Sequence, residues 1–128
     1  MVEIDDQKIW SIYQYLSEIT PFPKPADGAF VFGRDDPFVA SSAAELYNRD
    51  LVGYIMITGG IGKDSGYLAN PEIMVPEAKW QALRLHYDHG IPIGNILLET
   101  EATNAGECCR NGMDTIIRSG LAHDNLFV

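Results

Sequence analysis

The chain has 128 residues, with nine Lys and Arg against 18 Asp and Glu, and a formal net charge of -9. That balance excludes the clustered basic face that nucleic acid requires, and no apolar run approaches the roughly 20 residues that span a bilayer. With 46% hydrophobic and 21% charged residues, and no repeat or heptad, the composition is that of one globular domain. Met1 to Asp6 lacks the basic start of a signal peptide, so the expected address is the cytoplasm.

Asp5 and Asp6 can cap a first helix whose apolar positions Ile9, Ile12, Tyr13, Leu16 and Ile19 recur at three- and four-residue spacing. Pro21, Pro23 and Pro25 cannot continue it, so residues 1–27 read as an N-terminal helix and a Pro-rich linker. Ala29 to Phe32, rich in β-formers and closed by Gly33, is the first expected strand. Asp36-Pro37 is a cap followed by proline at the first helical position, with Ala40, Ala43, Ala44, Leu46 and Tyr47 as the buried stripe. Tyr54 to Thr58 is the second strand.

Pro76 opens a further helix through Ala78, Trp80, Leu83, Leu85 and Tyr87, stopped at Gly90-Ile91-Pro92. Ile96 to Leu98 is the third strand, and a last helix runs from Thr103 or Asn104 to about Ser119, with Gly120 as its stop. Leu126 to Val128 begins a fourth strand. Short continuous apolar strands joined by helices predict an α/β, Rossmann-like three-layer sandwich: a parallel sheet of about four strands, covered on both faces, with the N-terminal helix added. The end of the sequence in a strand is compatible with a short last strand or with the N-terminal part of a longer architecture.

Ligands of such sheets bind outside the carboxyl ends of the strands, where two Gly-bearing loops fall, Thr58 to Gly66 and Glu99 to Glu107. Gly59, Gly60 and Gly62 allow close approach to backbone, and their amides are candidates for an anion-binding nest. Lys63, Ser65 and, after the first strand, Gly33 and Arg34 join the candidate site; Arg34 offers a fork suited to bidentate anions. A Walker motif anchored on Gly62-Lys63 would need Gly at 57 and Ser or Thr at 64, where the chain has Ile57 and Asp64. Gly60-Ile61-Gly62 likewise lacks the third glycine of a dinucleotide fingerprint.

Glu99 and Glu107, with Asn104 between them, form the best polar group. They are either an acid and base converging on one crevice, a grip on a cation or ribose hydroxyls, or caps for loop amides and the helix dipole. Adjacent Cys108 and Cys109 point about 100° apart on a helix and read as reduced thiols, at least one packed in the core. His86, His89 and His123 belong to no recognisable triad. Trp10 and Trp80 fit helix faces as core or interface anchors, and a homodimer is compatible with them.

From Gly28 to Val128 the chain resembles the YdcF-like (SanA-like) family. The resemblance rests on Phe32-Gly33, the Thr58 to Gly62 loop, Glu77-Ala78, Gly90-Ile91-Pro92, and Glu99 to Glu107. Glu99, Asn104 and Glu107 match the family's signature after the third strand, whereas Ala102, Ala105 and Cys108 stand where it has Ser, often Thr, and Asn. The resemblance implies a Rossmann-like domain, C-terminally short here, whose proposed ligand is S-adenosylmethionine or another adenosyl nucleotide. Three expectations stand in this order: a domain that binds a small nucleotide-like or phosphorylated ligand, a hydrolase or transferase using Glu99 and Glu107 as acid and base, and a degenerate non-catalytic domain acting in assembly.

Overall fold

A computed structural model of the chain describes residues 24–34, 36–61 and 73–128, together with Gln7 and Ser11. The expected N-terminal helix and most of the Pro-rich linker lie outside these residues. The elements are β1 (Gly28–Phe32), α1 (Pro37–Asn48), β2 (Ile55–Thr58), α2 (Glu77–Tyr87), a 3-10 turn (Ile93–Asn95), β3 (Ile96–Glu99), α3 (Ala105–Arg118) and β4 (Leu126–Phe127). All strand pairs are parallel and the sheet order is β3-β2-β1-β4. This is the order of the first four strands of a Rossmann sheet, reached by alternating strands and helices.

Side chains of a strand alternate between faces, and the two faces carry different cores. Ala29, Ile55 and Ile57 pack with Ala40, Ala43 and Ala44 of α1 and Ala78 and Leu85 of α2. Phe30 and Met56 pack on the other face with Ile116 of α3, and Phe32, Leu97, Met113 and Leu126 border them. Three layers result: α1 and α2, the sheet, and α3. The crossover from β3 to β4 therefore runs on the face opposite α1 and α2, which reverses the strand order beside β1.

Asp36 caps α1 as expected, its side chain accepting from the Phe38 amide at 2.9 Å, and Pro37 occupies the first turn. In α2 the buried row is Ala78, Gln81 and Leu85, whereas Leu83 and Tyr87 are exposed and Trp80 is half-buried. The expected apolar stripe is thus displaced around the helix, because a polar residue fills its centre. Gln81 Nε2 donates to the carbonyls of Arg34 at 2.5 Å and Asp36 at 2.8 Å, tying α2 to the loop after β1.

Helix α3 lies unusually close to the sheet at Gly112, where an added Cβ would meet the Phe30 ring and Thr58 Cγ2, the latter at 2.6 Å. Among the described residues no helix is long and apolar enough to cross a membrane. Replacing Gly112 by Ala should destabilise the fold by about 1–3 kcal/mol, the scale of overpacking, although alanine gains about 1 kcal/mol of helix propensity. Gly94→Ala, with open space around the new methyl group, should be near neutral, both variants being read by urea titration.

Candidate functional site

The carboxyl ends of the strands are stitched together by backbone. The Gly33 amide donates to the Thr58 carbonyl at 2.6 Å, Gly59 to Glu99 at 2.9 Å, and Gly60 to Ala102 at 2.7 Å. In return the Glu77 and Ala78 amides donate to the carbonyls of Gly60 at 3.2 Å and Gly59 at 2.9 Å, so the start of α2 docks on the same loop. Gly59 sits at φ +142°, and a Cβ on Gly60 would lie 2.6 Å from the Thr100 carbonyl oxygen. The glycines are required by this close backbone crossing.

The anion nest expected of the Gly59 and Gly60 amides does not form, because both N–H groups are already engaged with carbonyls. What the crossing builds instead is a cleft of about 250 Å³ lined by Phe32, Gly33, Gly59, Gly60, Glu77 and the segment Ala102 to Ala105, with Cys108. The cleft brings together four expected site residues: Gly33, Gly59, Gly60 and Asn104. Arg34, Glu99 and Glu107 do not line it, and Gly62, Lys63 and Ser65 lie outside the described residues.

Local hydrogen bonds account for Glu107 and for one oxygen of Glu99, whose Oε2 is buried without a partner among the described residues. Glu99, buried at the end of β3, accepts through Oε1 from the amides of Glu101 at 2.6 Å and Ala102 at 3.0 Å, which turns the chain back over β2. Asn104 is the N-cap of α3: its Oδ1 accepts from the Glu107 amide at 2.9 Å. Glu107 Oε1 accepts from the Thr103 hydroxyl at 2.8 Å and the Thr103 amide at 3.1 Å. This reciprocal arrangement is a variant of the capping box. The Thr103 hydroxyl and then its amide hold the Glu107 carboxyl below its ordinary pKa.

Cys108 is buried and Cys109 exposed, both as free thiols. Burial, more than the nearby carboxylates of Glu99 and Glu77, pushes the Cys108 thiol up, so it lines the cleft in its protonated form at neutral pH. His86 and His123 each donate through Nδ1 to a backbone carbonyl, Ile91 and Leu121, at 2.9 Å. The expected loop Glu99 to Glu107 supplies Ala102, Thr103 and Ala105 to the cleft, whereas sequence reasoning missed Phe32, Glu77 and Cys108 as cleft residues. For Cys108 a signal existed, since a capping Asn104 places the residue one turn later around the helix entrance.

No protein-family model matches the chain. An uncharacterised protein of Streptomyces coelicolor is 31% identical to it over 106 residues, a match that covers 83% of this chain. The chain spans 44% of the length of that relative.

Replacing Asn104 by Ala should cost about 1 kcal/mol in stability, whereas Asn104→Asp should retain most of the cap. The lowered pKa of Glu107 gives the folded state an advantage that is present above the unfolded glutamate range and lost as pH falls through the folded pKa. A Glu107→Gln variant should therefore lose less stability on acidification than the native chain, read by thermal melts across a pH series.

Proposed function

We propose that the chain is a small-molecule-binding, Rossmann-like domain of the YdcF-like type that holds the nucleoside end of a nucleotide-like ligand in this cleft. The observation that carries the reading is a backbone-walled cleft at the carboxyl ends of β1 and β2, beneath the first turn of α3. The closed backbone of Gly33, Gly59 and Gly60 forms one wall. Thr103, Asn104 and Glu77 on the other supply donors and acceptors suited to hydroxyls and ring nitrogens. The positive end of the α3 dipole favours an electron-rich group at the same place.

Size narrows the class. A cleft of about 250 Å³ lies just under the ~300–1,000 Å³ typical of complete ligand pockets, which fits one nucleoside or sugar phosphate rather than a whole dinucleotide. S-adenosylmethionine is within this class. A hydrolase or transferase with Glu99 and Glu107 as acid and base has less support, since both carboxylates accept from backbone amides beside the cleft rather than facing into it.

The test is a thermal-shift panel of adenosine monophosphate, adenosine triphosphate, S-adenosylmethionine and ribose 5-phosphate. A binder at 100 times its dissociation constant should stabilise the fold by about 2.7 kcal/mol. Ala105→Phe, which fills the cleft from an exposed helix position, should abolish the shift while leaving the unliganded melt intact. A ligand that stabilises Ala105→Phe as well as the native chain would overturn the assignment.

A further inference from the structure

The second feature of the molecule that its own contacts do not explain is the outer edge of β3. β3 ends the sheet order, so among the described residues one side of its backbone has no strand partner. Its sequence, Ile96-Leu97-Leu98-Glu99, carries none of the lysines, prolines or bulges by which exposed edges are protected. Beside that edge lies an apolar surface formed by Leu83, 46% exposed, Tyr87, 76%, Ile93, 66%, and Leu98, 41%. These residues line one shallow groove with Lys79 and His86.

We infer that this face is the interface of a two-fold homodimer in which the β3 edges of two copies pair antiparallel into one eight-stranded sheet. Strand spacing argues for a second copy. Helix α2 packs against both β2 and β3 and so lies over the gap between them. With strands about 4.8 Å apart, a two-fold axis between paired β3 edges sets the two α2 helices about 10 Å apart, within the range of packed helices. One pairing therefore satisfies the open ladder and covers the apolar groove together.

The helix row that faces the edge is self-complementary. Lys79, Leu83 and Tyr87 recur at four-residue spacing, and all three are exposed. An antiparallel helix pair centred on Leu83 sets Leu83 against its own copy and brings Lys79 opposite the other copy's Tyr87 and Asp88. Each Lys79 then lies near the other copy's Asp88, which also holds Arg84 of its own helix at 3.5 Å, and the centre between the two ends is apolar. The expected stripe that the monomer fails to bury, Leu83 and Tyr87, is buried in this assembly.

Sedimentation velocity of the full 128-residue chain at tens of micromolar should show a dimer. Leu83→Glu, which sets two carboxylates across the axis, should raise the dimer dissociation constant by at least about tenfold with an unchanged circular dichroism spectrum. In a Cys109→Ser background, Leu83→Cys should form a disulfide-linked dimer on mild oxidation, because the axis brings the two sulfurs together. A native chain that sediments as a monomer, a Leu83→Glu variant that stays dimeric, or a folded Leu83→Cys variant that fails to cross-link would each overturn the interface.

Discussion

The carboxyl end of this sheet depends on the hydrogen-bonded crossing of Gly33, Gly59 and Gly60 with the carbonyls of Thr58, Glu99 and Ala102. Three strands finish at one level, and the chain leaves β1 and β2 without room for a side chain at the crossing. A Cβ on Gly33 would lie 2.7 Å from the Thr58 carbonyl oxygen, and one on Gly60 2.6 Å from that of Thr100. Because buried backbone donors must be satisfied, the amides spent here cannot also serve a ligand. The consequence is a cleft whose floor is closed backbone and whose recognition groups come from α2 and the entrance of α3.

That division of labour gives the buried Glu99 its place. A carboxylate at the end of β3 costs desolvation unless hydrogen-bonded; two amides of the following turn meet Oε1, while Oε2 is buried without a partner among the described residues. The turn they shape delivers Ala102 to the Gly60 amide and Thr103 and Asn104 to the cleft. Glu107 then returns from the first turn of α3 to fix Thr103. Two acidic residues that resemble a catalytic pair on paper thus act as successive clamps on one loop, and the loop, not the acids, borders the cleft.

Most of the fold was legible because its signals are local. Asp36-Pro37, Asn104 and Gly120 mark helix ends through side-chain caps and a positive φ of 72°, and the short apolar strands admit little besides a parallel sheet. The face of α2 was not legible, since Gln81 is buried for the sake of the Arg34 and Asp36 carbonyls, contacts 47 and 45 residues away. The site was half legible. Glycine loops located the crevice, but which glycine amides remain free depends on tertiary partners that spacing does not encode.

The most direct measurement is a two-dimensional amide NMR titration of the native chain with adenosine monophosphate and with S-adenosylmethionine. A ligand in the cleft should move the resonances of Gly33, Gly59, Gly60 and Thr103 to Cys108 together, with a common dissociation constant. Saturable shifts confined to the apolar groove around Phe38 and Phe127, with the glycine amides unmoved, would contradict a binding site at the strand ends.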